Sequence, residues 1–116
     1  ACGLLAGDPV SGRATRYLPA RNGHASPYRY DVHPEDLVRI TFEIEAAGEE
    51  LVAVFHSHPR TPAVPSATDV RDATYNVVHL IVSLAGAGDG VPAADALRGW
   101  RIGDATVTEV PIRLSA

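Results

Sequence analysis

Lysine and methionine are absent from these 116 residues, and cysteine occurs once. A single thiol, Cys2, excludes an intrachain disulfide and fits a reducing cytoplasm. It stands among apolar neighbours and reads as a small buried hydrophobe rather than a nucleophile. With no lysine, the 10 basic side chains are all arginines, scattered among 14 acids for a net charge of −4. No basic stripe is present to track a phosphate backbone, so nucleic acid is not an expected partner. No apolar run approaches the ~18–20 residues that a membrane span requires, and there is no secretory leader pattern. Internal repeats and long low-complexity tails are missing too. The lack of methionine, with a strand-like stretch starting at Ala1, reads as a chain trimmed of its beginning.

What is present suffices for one globular domain over residues 1–116. With 46% hydrophobic and 21% charged residues, the balance is that of an ordinary folded protein. A chain of this length can bury roughly two-thirds of its unfolded surface. Residues 1–6 and 14–20 read as strands joined through Gly-Asp-Pro and Ser-Gly turn chemistry, an antiparallel hairpin. Asn22 to Tyr30 is a polar loop carrying His24, Tyr28 and Tyr30. His33-Pro34-Glu35-Asp36 opens a helix, since proline suits the first turn and acids favour its positive end. Leu37, Ile40, Thr41 and Ile44 then recur at helical spacing until Gly48 ends the run. The spacing predicts further strands at 51–56, 77–84, 97–102 and 106–114, with a short helix over 66–76. The run 77–84 is apolar nearly throughout, as in a strand buried on both faces. His79 lies in its middle and reads as a core histidine, and His33 as a residue at the helix start. Residues 85–94 are rich in glycine, aspartate and proline and read as a loop. This alternation of strands and helices predicts an α/β fold with a mixed sheet flanked by helices.

The chemistry gathers around His56-Ser57-His58-Pro59. These residues follow the apolar strand Leu51-Val52-Ala53-Val54-Phe55. Extended residues at i and i+2 project to the same side about 6–7 Å apart, so His56 and His58 can converge on one metal ion while Ser57 points away. Pro59 removes a backbone donor and stops the strand. Ser66-Ala67-Thr68-Asp69 has the form of a helix start, with Ser66 as N-cap and an acid three residues on. The proline-bounded loop from Arg60 to Pro65 can carry that start back over the strand end, which makes Asp69 the best-placed third ligand. Two imidazoles and one carboxylate leave a coordination position open, as catalytic zinc sites do. Non-haem iron uses the same ligand types.

His-Ser-His-Pro, a six-residue spacer, Ser66, two residues and Asp69 resembles the JAMM (MPN+) zinc metalloprotease family in order and spacing. Cys-Gly-Leu-Leu-Ala-Gly early and Trp100-Arg101-Ile102 late look like its prokaryotic branch, and the resemblance runs over nearly the whole chain. It implies the JAMM/MPN fold, similar to the cytidine-deaminase-like architecture, and Zn²⁺ held by His56, His58 and Asp69. It also implies that Ser66 donates a hydrogen bond to the tetrahedral oxyanion. The implied substrate bond follows the C-terminal glycine of a ubiquitin-like or sulphur-carrier protein, with cysteine or a peptide adduct released. Such a tail needs an extended groove, expected between loops 57–65 and 85–95. The family places a helix and a general-base glutamate immediately ahead of the segment matching Ala1-Cys2-Gly3. No residue of this sequence takes that position, so the expectation is a domain lacking that helix and glutamate. Two other functions fit the same residues: a silent module that only binds ubiquitin-like folds, and a peptidase of free dipeptides. Silent relatives generally lose the histidines and aspartate, whereas all three stand here.

Overall fold

The apolar runs become strands of one sheet because each has a neighbour that completes its backbone hydrogen bonds. The computed structural model describes residues 2–8, 10–23, 32–72, 77–85, 96–103 and 106–113. In chain order these form β1 (Cys2–Asp8), β2 (Arg13–Ala20), α1 (Pro34–Ala46), β3 (Glu50–His58), α2 (Ala67–Asp72), β4 (Val78–Ser83), β5 (Leu97–Gly103) and β6 (Thr106–Val110). The sheet order is β2-β1-β3-β4-β5-β6. All neighbours are antiparallel except β3 and β4, which run parallel. The predicted mixed sheet of an α/β fold is therefore observed. His24, Tyr28, Tyr30 and the 86–95 stretch expected to edge a groove lie outside the described residues, as do 73–76 of the expected second helix.

β3 runs further than the apolar run implied, through both histidines. It is an interior strand: Ser57 and His58 pair with Val82 and Ser83 of β4. Pro59 then follows directly, as expected of a residue without a backbone donor.

α1 begins at a proline and is capped by His33, whose Nδ1 accepts from the Glu35 backbone N–H at 3.2 Å. It ends at Ala46 with Ala47 as its cap, and Gly48 just beyond takes the left-handed conformation at φ 69°, as glycine does at little cost. Its inner face supplies Ile40 and Ile44 to a core with Leu4, Ala6, Leu18, Val32 and Val54. Thr41 shares the helical spacing of that set but is exposed. Its hydroxyl donates back to the Leu37 carbonyl at 2.7 Å, a local bond that threonine makes readily.

A second cluster holds Ala63, Ile81 and Trp100, so the loop after β3 is packed onto β4 and β5. This gathering on one side corrects the expectation for 77–84. His79, Ile81 and Ser83 are buried, but Val78, Leu80 and Val82 are only half-buried. The described parts of α1, α2 and the intervening loop all lie on the His79–Ile81–Ser83 face, and none covers the other. On that other face Tyr17 lies across β1. A Cβ at Gly3 would meet its ring at 2.5 Å, its hydroxyl donates to the Cys2 carbonyl at 3.2 Å, and its edge meets Phe55.

The start of α1 is tied to the end of β2 by charge. Asp36 is nearly buried and accepts from the Arg21 backbone N–H at 2.7 Å and from its guanidinium at 3.1 Å. The guanidinium, then the backbone N–H, hold the Asp36 carboxyl at about 2, below its ordinary 3.8. A lowered carboxylate pKa contributes stability above the unfolded value and loses it as pH falls through the folded one. Asp36→Asn is therefore expected to lower the melting temperature most near neutral pH. The gap from the parent should close as pH drops from about 3.8 to about 2. Thermal melts across that range check it, and a constant gap would contradict it.

Candidate metal centre

His56 and His58 alternate with Ser57 along β3, so both imidazoles rise from the face that carries the loop and α2. The neighbouring strands fix that face: His56 stands opposite Cys2 of β1 and beside Ile81 of β4, and His58 beside Ser83. Both rings are buried, at 3% and 8% exposure, and Asp69 is at 9%. Ser57 is half-buried and on the opposite face, as its position predicts.

The three expected ligands meet. The two Nε2 atoms are 3.1 Å apart, and Asp69 Oδ2 lies 3.0 Å from His58 Nε2 and 3.3 Å from His56 Nε2. Ligand atoms bonded tetrahedrally at 2.0–2.1 Å are separated by roughly 3.3 Å. A near-equilateral triangle of that edge is the footprint of one metal ion, and these residues fit it. Among the described residues they are the one group of three such side chains within reach of a common ion. His79 is buried at 2% in mid-β4, opposite Trp100, and takes no part.

His58 and Asp69 are each aimed by a neighbour. His58 Nδ1 lies 2.9 Å from the Pro62 carbonyl. A carbonyl only accepts, so Nδ1 is the donor, and Nε2 of the neutral ring keeps its lone pair toward the site. Asp69 is set by a reciprocal cap: the Ser66 N–H donates to Oδ2 at 2.9 Å, and the Asp69 N–H donates to Ser66 Oγ at 3.0 Å. Burial disfavours the Asp69 charge, but bonds from His56, His58 and the Ser66 N–H outweigh it and hold the carboxyl well below the usual range. The hydrogen bond to Asp69 raises His58 above its ordinary 6.5, against the opposing effect of burial. Ser66 itself is exposed. Its oxygen accepts the cap bond, which leaves the hydroxyl hydrogen for a group arriving from solvent. Sequence reasoning did not find the Pro62 carbonyl, because a backbone acceptor has no residue-type signal.

Known proteins are similar to this chain in sequence and in fold. Residues 1–103 match the family described as prokaryotic homologs of the JAB domain. A CysO-cysteine peptidase from Mycobacterium tuberculosis is 38% identical over 114 residues, covering 98% of this chain and 75% of the relative. A desampylase from Haloferax volcanii is 43% identical over 84 residues, covering 71% and 60%. The solution structure of protein DSY2949 from Desulfitobacterium hafniense superposes with a TM-score of 0.82 at 32% identity, covering 99% of this chain and 77% of that one. Among the described residues no helix is long and apolar enough to cross a membrane. The chain belongs to the prokaryotic JAB-domain family.

Proposed function

We propose that this chain is a zinc-dependent hydrolase. Its substrate is the bond after the C-terminal glycine of a ubiquitin-like or sulphur-carrier protein, from which it releases cysteine or a peptide adduct. The observation that carries this reading is the convergence of His56, His58 and Asp69 within 3.0–3.3 Å of one another, beside an exposed hydroxyl at Ser66. A module that only binds a partner has no use for three buried ligands so aimed. The names of the mycobacterial and Haloferax relatives, a peptidase and a desampylase, support the substrate class.

His56, His58 and Asp69 hold the ion, and family resemblance favours zinc over iron for this donor set. The bound ion supplies Lewis acidity to the scissile carbonyl and to water. Ser66 donates to the oxygen on which negative charge grows. The Ser66 N–H bonded to Oδ2 favours the charged form of Asp69.

A base must accept the proton of the attacking water and return it to the leaving amine. We assign it to a residue upstream of Ala1. The β1–β3 register supports this: Cys2 faces His56, so the strand continued two residues back would set a side chain opposite His58 on the metal side. A chain extended upstream to include an acid should hydrolyse faster than residues 1–116 alone, and equal rates would place the base within them.

The test of the function uses a ubiquitin-like carrier with a C-terminal cysteine or peptide extension, followed by mass spectrometry with and without chelator. Loss of the extension, dependent on metal, is expected. An upstream-extended, zinc-loaded protein that binds the carrier and leaves it intact would show a silent module instead.

A further inference from the structure

The loop between the histidines and Ser66 is held down at three consecutive carbonyls. Thr61 O accepts from Ser83 Oγ at 2.6 Å, Pro62 O from His58 Nδ1 at 2.9 Å, and Ala63 O from Trp100 Nε1 at 2.8 Å. The donors come from β4, β3 and β5, so the loop is laced across three adjacent strands. The middle carbonyl is the one that orients a metal ligand. Prolines at 59, 62 and 65 supply no N–H of their own, so this loop cannot fix itself through backbone donors at those positions. Trp100 is firmly placed: it is 8% exposed, packs on Ala63 and Ile81, and carries the Arg98 guanidinium 4.8 Å above its ring. Ser83 is likewise buried, and its oxygen also accepts from the Ala85 N–H at 3.2 Å.

We propose that Ser83 and Trp100 are positioning residues for the metal centre: by holding the carbonyls on either side of Pro62, they aim the Pro62 oxygen at His58 Nδ1 and so set the angle of Nε2. This rests on the reading of His56, His58 and Asp69 as metal ligands. Neither residue is among the three proposed ligands. A purely packing role would give a different result. It would lower fold stability to the same degree with or without metal, leaving the affinity of the folded protein alone.

The test compares zinc affinity, by chelator competition, in the parent, Ser83→Ala, Ser83→Thr and Trp100→Phe. The phenylalanine keeps most of the ring and loses the N–H; the threonine keeps the hydroxyl. Loss of a group that orients a metal ligand costs 10–100-fold in affinity. Ser83→Ala and Trp100→Phe are each expected to weaken zinc binding about tenfold, with Ser83→Thr close to the parent. Because coupling is reciprocal, zinc should also slow hydrogen exchange at the indole N–H in the unmutated protein. The effect should exceed that on amides of β2, the far edge of the sheet. There is one tryptophan, so its NMR signal needs no assignment. Folded Ser83→Ala and Trp100→Phe variants that bind zinc as the parent does would overturn the proposal. An indole unresponsive to zinc would overturn it even if the variants fail to fold. A parent that binds no zinc would remove the ligand reading itself.

Discussion

Alanine at His58 is expected to leave the protein unable to retain zinc through chelator dialysis, while the parent retains about one ion per chain. The three donors act as a set: one strand and one helix cap bring them within 3.0–3.3 Å of each other. Two remaining donors cannot enclose an ion against water. A complete zinc site is worth on the order of 10 kcal/mol, so losing a ligand costs several orders of magnitude in affinity. His56→Ala should behave alike. The residue left behind magnifies the effect, because Asp69 is buried and ionised with one of its three partners gone. The pH dependence has a defined sign. In the metal-free chain the Asp69 hydrogen bond raises the His58 pKa above 6.5. That pairing stabilises the metal-free fold below 6.5 and fades as pH rises through the raised value. Zinc must displace the same proton, so its affinity should climb with pH over that interval and level off above it. Metal analysis showing one zinc per chain in His58→Ala would contradict the ligand assignment.

The second large effect is expected at Ser66. Ser66→Ala should lower kcat by about 10²–10³, the usual effect of removing one oxyanion donor, with zinc content unchanged. It should also cost about 1 kcal/mol of stability through the lost cap, since the Asp69 N–H then has no Oγ to reach. The two losses separate experimentally: thermal melts report the cap, and rates at saturating substrate report the donor. A variant that loses stability yet keeps its kcat would confine Ser66 to capping. These rates are best measured on the upstream-extended chain, in which the proposed base is present.

The site was legible in the sequence because its parts are local. Alternation along a strand puts His56 and His58 on one side and Ser57 on the other, and the reciprocal cap is written in Ser66 and Asp69. α1 was legible for the same reason, from Pro34 at its start to Gly48 just past its end. What the sequence did not disclose depends on partners far along the chain. The run at 77–84 looks the same whether one face or two are covered, and only the placement of α1 and the loop decides. β3 reaches His58 because β4 pairs with it there, a fact absent from its own residues. The three loop carbonyls took their donors from β3, β4 and β5, and no spacing rule connects Trp100 with Ala63.

The side-by-side orientation of β3 and β4 has a consequence for folding order. Strands running in the same direction cannot be joined by a tight turn, so the chain must travel over the sheet between them. That excursion contains Ser66 and Asp69. The imidazoles are neighbours from the moment β3 extends, and the carboxylate lies only 11 residues beyond His58, a short loop with a small entropic cost to close. The three donors can thus meet before β3 and β4 pair, so zinc present during refolding should raise the folding rate measured by stopped flow as well as the final stability.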